Sequence, residues 1–99
     1  MSESSDVTVE RRGNDERGAY VVDLPGAERQ AELTWVARGN VRHANHTFVP
    51  PEMRGKGIAG KLVDALIADA REQDFKIAPD CSYVEAAFRR NPEWSDLRA

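Results

Sequence analysis

The stretch Val49-Pro50-Pro51-Glu52-Met53-Arg54-Gly55-Lys56-Gly57-Ile58-Ala59-Gly60 is where this sequence changes its hydrophobic period. Before it, apolar and polar residues alternate; after it, apolar residues recur at helical spacing. Working back from the break, Val41 to Val49 reads as a strand of mixed pattern, closed by Pro50-Pro51. Ala31, Leu33, Trp35 and Ala37 alternate with polar residues and predict a strand with one buried face. Ala19 to Leu24 predicts another, with Tyr20 and Val22 on one side, ended by the turn signal Pro25-Gly26. Val7 and Val9 suggest a first strand, with Gly13-Asn14-Asp15 as the turn after it. Short turns join all four, so an antiparallel meander is expected.

Working forward, Ala59, Leu62, Val63, Leu66, Ile67 and Ala70 share one face of a helix expected from about Gly57 to Gln73. Lys61, Asp64, Asp69 and Glu72 are expected to point elsewhere. Lys76 to Ala78 is a short strand, which a crossover through the helix would pair in parallel with the fourth strand. Ser82 to Arg90 is a second helix with Ser82 as its N-cap, stopped by Asn91-Pro92. Trp94 and Leu97 are expected to dock the tail, and Trp35, Trp94, Leu62 and Leu66 to lie in the core. The expected class is α+β (mixed α/β): antiparallel strands, a β-α-β crossover and a C-terminal helix, in one domain spanning 1–99, with 1–5 frayed.

Composition narrows the function. The chain has 99 residues, 40% hydrophobic and 31% charged, as in an ordinary globular domain. Its net charge of -3 argues against a general nucleic-acid binder, which needs a basic excess. No apolar run approaches the roughly 20 residues that span a bilayer. The acidic start, Met1 to Asp6, lacks the basic-then-apolar plan of a signal peptide, so the cytoplasm is expected. The single cysteine, Cys81, excludes an internal disulfide and a multi-cysteine zinc site. His43 and His46 face opposite sides of a regular strand and no third ligand accompanies them, so no metal is expected. Oligomeric state has no signature here, and a monomer is favoured.

The break itself carries the chemistry. Glycines at 55 and 57 let a ligand approach the backbone closely. Unpaired N–H groups and the positive dipole end of a helix favour an anion, and Arg54 and Lys56 add charge. A phosphate or pyrophosphate site is the prediction; the plainer reading is a solvated glycine turn that starts a helix. Gly55 to Leu62 nearly matches a P-loop but fails at Leu62, where a hydroxyl must hold magnesium.

Arg54, Gly57 and Ala59 do satisfy [QR]-x-x-G-x-[GA], the pyrophosphate loop of the GNAT superfamily of N-acetyltransferases, and the order of elements resembles that fold. More follows in order: His46-Thr47-x-Val49-Pro50, the Arg54 to Ala59 loop, a long helix, Cys81-x-Tyr83-Val84, and Arg89-Arg90-Asn91-Pro92-Glu93-Trp94. From about Ala31 to Leu97 this looks like a subfamily of very small stand-alone GNAT-like proteins with a cysteine after the last core strand. Its members resemble a truncated GNAT core, stripped of the usual N-terminal helices, and bind coenzyme A or acetyl-coenzyme A.

The resemblance implies that Arg54, Gly55, Lys56, Gly57, Ile58 and Ala59 hold the pyrophosphate through main-chain amides. It implies that Phe48 and Val49 pair with the pantetheine amides like an added strand, that Tyr83 joins the cofactor site, and that the fourth and fifth strands splay to admit the arm. Cys81 precedes a helix, whose N-terminus lowers a thiol pKa, although Asp80 would oppose ionisation. Cys81 is then an acyl acceptor or nucleophile, or else a small buried hydrophobe. His46 is a general base for an amine or for Cys81, or else a strand histidine tied to a backbone carbonyl. Ordinary members place a tyrosine on the last helix as general acid and a glutamate on the fourth strand. Here Phe88 stands near the first position, Val41 to Val49 has no glutamate, and Glu52 reads as solvated. Arg89 and Arg90 read as a solvated helix end that could touch the adenosine 3′-phosphate. Two functions follow: acetyl transfer from acetyl-coenzyme A to an unidentified amine through Cys81 and His46, or a coenzyme A-binding module with weak or no turnover.

Overall fold

A computed structural model describes residues 8–23 and 28–99, with the side chain of Glu52 outside that set. Expectations for Met1 to Ser5, Val7, Leu24, the Pro25-Gly26 turn and the Glu52 side chain fall outside the described residues. Five strands form one sheet in the order β1-β2-β3-β4-β5: β1 (Glu10–Gly13), β2 (Arg17–Val22), β3 (Ala31–Arg38), β4 (Val41–Phe48) and β5 (Lys76–Ala78). The first four are antiparallel neighbours, and β5 joins β4 in parallel. Between β4 and β5 runs α1 (Ile58–Gln73), and α2 (Ser82–Arg90) follows β5. This is the expected meander, crossover and terminal helix. Val9 precedes the first strand, whose pairing begins at Glu10 opposite Val21 and runs through Gly13, a residue expected in the turn.

The core lies between one sheet face and α1. Tyr20, Leu33, Trp35 and Ala44 from the sheet meet Leu62, Val63, Leu66 and Ala70 from the helix, all buried. Asp69 departs from expectation. It is buried rather than solvated, because Tyr20 and Arg11 reach it from β2 and β1 and satisfy its carboxylate. Arg42 extends over the same end of the core, its guanidinium 3.8 Å from the Trp35 ring centre and 4.1 Å from that of Phe75.

The chain after β5 closes the sheet edge. Cys81, not Ser82, is the N-cap of α2, and no side chain caps that helix. The reason is that the Cys81 N–H bonds the Ala44 carbonyl at 2.8 Å, which keeps the backbone extended through Cys81. A 3-10 turn at Pro92–Leu97 brings Leu97 into the core and sets half-buried Trp94 edge-on to Phe88 at 5.7 Å. Arg98 then bridges beside Ile77.

Candidate functional site

The loop between β4 and α1 is shaped by its prolines and glycines. Pro51–Met53 forms a 3-10 turn and Met53 is buried beneath it. Gly55 and Gly57 adopt φ of 82° and 73°, a region costly to residues with a Cβ. Space is not the constraint, since a Cβ at either position meets nothing within 4 Å. Gly57 caps α1 without a side chain, and the first bond of the helix runs from Lys61 N–H to the Gly57 carbonyl at 3.2 Å. The amides of Ile58, Ala59 and Gly60 therefore precede the helical ladder and point out of its end. Beside them is a groove of about 210 Å³ walled by Val49, Met53 and Tyr83.

The expected cofactor residues divide here. Val49, Arg54, Gly55, Gly57, Ile58, Ala59 and Tyr83 all line the groove. Lys56 is exposed nearby and Phe48 turns its ring away, under the Arg29 guanidinium at 4.1 Å. Arg54 has a task that the sequence did not reveal. Its Nε donates to the Val49 carbonyl at 3.0 Å and so ties the loop back to the end of β4. That carbonyl keeps its second lone pair for another donor.

The fourth and fifth strands part as expected. Parallel pairing runs only from Val41 with Lys76 to His43 with Ala78. One further bond, Cys81 N–H to Ala44, follows, and β5 does not pair with Asn45 to Phe48. At this fork β4 also carries a bulge. Thr34 faces His46, and Trp35 faces Ala44, so Asn45 is the extra residue.

The bulge reverses the alternation of β4. His43 and His46 stand opposite Val36 and Thr34, which share one face of β3, so both histidines lie on the same, outer face. The expectation that they face opposite sides is corrected, since it assumed a regular strand. His43 Nδ1 lies 2.9 Å from Asp80 Oδ2, and exposed His46 lies 3.9 Å from Glu32. Among the described residues, no three of His, Cys, Asp and Glu gather as a metal site.

The same bulge turns Thr47 inward, opposite Leu33. Thr47 Oγ1 is 3.5 Å from Cys81 Sγ, so the structure brings Thr47 rather than His46 to the cysteine. Burial pushes the Cys81 thiol up, but bonding to Thr47 and to the amides of Val84 and Tyr83 outweighs it and holds the thiol below its ordinary value. Asp80, expected to oppose ionisation, is turned instead onto His43. Phe88 is buried against Trp94 and has no proton to give. Arg89 engages Glu85 at 3.2 Å, one turn back on its own helix, and Arg90 is exposed.

The chain is similar in sequence to known proteins. A sequence profile described as GCN5-related N-acetyl-transferase matches residues 19–97, which spans β2 through the 3-10 turn of the tail. The chain is similar to Protein NATD1 of Xenopus tropicalis, 32% identical over 93 residues, covering 93% of this chain and 84% of that protein. It is similar to Protein NATD1 of Gallus gallus, 32% identical over 77% of this chain and 70% of the other. Protein NATD1 of Homo sapiens is likewise 32% identical, over 77% of this chain and 68% of its own length. A meander that forks at a bulged fourth strand, a glycine-capped crossover helix and this match agree: the chain belongs to the GCN5-related N-acetyltransferase family.

Proposed function

We propose that this chain binds acetyl-coenzyme A and transfers its acetyl group to an amine, carried by a small molecule or a protein of the cytoplasm. The observation that supports it best is the start of α1. A left-handed Gly57 presents unpaired amides to a groove that Val49, just past β4, also lines, and β5 leaves Asn45 to Phe48 without a partner on that side of β4. Amides of Ile58 and Ala59, with Gly55 to Gly57 leaving them accessible, would hold the diphosphate. Arg54 lines the groove and exposed Lys56 is its neighbour in the loop, both adding positive charge, and Tyr83 and Val49 would flank the pantetheine arm.

Acetyl-coenzyme A supplies an activated thioester. Backbone amides near Phe48 would polarise its carbonyl and stabilise the tetrahedral oxyanion. Cys81 as a thiolate would attack the carbonyl carbon, forming a bond to Sγ as the bond to the coenzyme sulfur breaks. The leaving thiolate takes a proton from solvent. The amine then attacks the acetyl-cysteine, loses a proton to water, and returns Cys81 as a thiolate. His46, exposed on the outer face of β4, stands across the strand from Cys81, so a role for it as general base belongs to direct attack of an amine on the thioester rather than to the acetyl-cysteine route.

One observation favours a second reading, a coenzyme A-binding module. Phe88 occupies the last helix without a general acid to protonate the leaving thiolate. Mass spectrometry with acetyl-coenzyme A separates the two. Acetyl on Cys81 or on an added amine, abolished in Cys81→Ala with coenzyme affinity intact, supports the enzyme. Tight binding with no acetylated product supports the module, and no heat on titration with coenzyme A removes both.

A further inference from the structure

We propose that Thr47 is a positioning residue for Cys81, holding Sγ at the fork of β4 and β5 and donating its hydroxyl proton to the sulfur when it is ionised. Three contacts fix this cysteine to its surroundings. Its N–H bonds the Ala44 carbonyl at 2.8 Å, its carbonyl accepts from Glu85 N–H at 2.9 Å, and Sγ meets Thr47 Oγ1 at 3.5 Å. The first two set the backbone of an N-cap residue. On the sulfur, the amides of Tyr83 and Val84 act from the adjoining α2, and the Thr47 hydroxyl is the side chain that reaches it, from β4; it does so because the Asn45 bulge exchanges His46 for Thr47 on the inner face. A hydroxyl is suited to the task, since it accepts from the thiol and donates to the thiolate without a net charge.

The titratable groups on the surrounding elements are engaged elsewhere. Asp80 is held by His43, and His46 lies on the outer face near Glu32. Glu85 in α2 is bound by Arg98 at 2.7 Å and by Arg89 at 3.2 Å. Tyr83 faces the groove, and α1 brings Lys61 in its first turn. The inferred depression of the thiol agrees with a bond from Thr47 as the largest favourable influence. The functional sense of this role rests on the reading in which Cys81 takes the acetyl group, but the contact can be tested without turnover.

The chain has a single cysteine, so alkylation by iodoacetamide, followed by intact mass, reads Cys81 alone. Its rate should be measured against pH in wild type, Thr47→Val and Thr47→Ser, with circular dichroism confirming that each is folded. The midpoint should rise by about one pH unit in Thr47→Val, the size of one bond to a charged group. Thr47→Ser should restore the wild-type midpoint. An unchanged midpoint in folded Thr47→Val would overturn the inference. If Thr47→Val does not fold, Thr47→Ala replaces it with the same two outcomes. A parallel arm adds saturating acetyl-coenzyme A to wild type. Absence of protection there counts against the cofactor site and leaves the Thr47 result standing on its own.

Discussion

Tyr20 donates its hydroxyl to Asp69 across 2.8 Å, joining β2 to the C-terminal half of α1. Arg11 Nε contributes to both oxygens of the same carboxylate, at 3.1 and 2.9 Å. The Tyr20 oxygen in turn accepts from Arg42 at 3.1 Å, so β1, β2, β4 and α1 meet in one hydrogen-bonded group. Burial works against the Asp69 charge, yet the bonds from Arg11 and Tyr20 outweigh it and hold the carboxyl below its ordinary range. A depressed folded pKa means stabilisation that is present above the unfolded value and lost as pH falls through the folded one. Asp69→Ala should cost about 2 to 3 kcal/mol, chiefly from the orphaned Tyr20 hydroxyl. Arg11 is half exposed, so its ion pair adds little to that figure. Urea unfolding from neutral pH downward should show the variant losing less stability than wild type below about pH 4. Parallel acid limbs in the two proteins would exclude this role for Asp69.

The loop glycines allow conformation and charge to be separated. Gly57→Ala places a Cβ where it meets no protein atom within 4 Å but at a φ of 73°, so it should cost about 1 to 2 kcal/mol of stability and serves as the uncharged control for a side chain at this position. Gly57→Glu adds a carboxylate where an anion is proposed to sit. Calorimetry with coenzyme A should find affinity reduced at least about tenfold beyond the alanine variant. Equal affinities would remove the diphosphate from this loop.

Arg54 should be exchangeable for glutamine but not for alanine. Its Nε is bound to the Val49 carbonyl, and a glutamine amide can donate to the same oxygen. Arg54→Ala should lower stability by about 1 kcal/mol and speed hydrogen exchange across Gly55 to Ala59, while Arg54→Gln should stay near wild type. If glutamine exchanges as fast as alanine, the tie to Val49 does not explain the motif position.

Leu62 lies wholly inside, beneath the sheet, one turn after the proposed anion site. Leu62→Ala should cost about 2 to 5 kcal/mol in chemical denaturation, as large-to-small core changes do. Glu72→Ala, on the exposed side of the same helix, should stay within about 0.5 kcal/mol. Similar losses at both positions would contradict the packing of α1.

Much of this protein was written locally. Alternation in Ala31 to Arg38 specified β3 and its buried side, and the 3.6-residue recurrence from Leu62 to Ala70 specified α1. The glycines and prolines between Val49 and Gly60 located the loop, because backbone permission is a property of single residues and their neighbours. Those signals, with the motif order, were enough to indicate the family. What lay beyond reach depends on pairing between distant segments. No local pattern announces that Asn45 is an extra residue, since a bulge exists only relative to the partner strand. That one insertion put His43 with His46 and gave Cys81 a threonine in place of a histidine. Asp69 was misread for the same reason. A carboxylate on a helix is solvated by default, and only the folded sheet brings Tyr20 and Arg11 close enough to bury it.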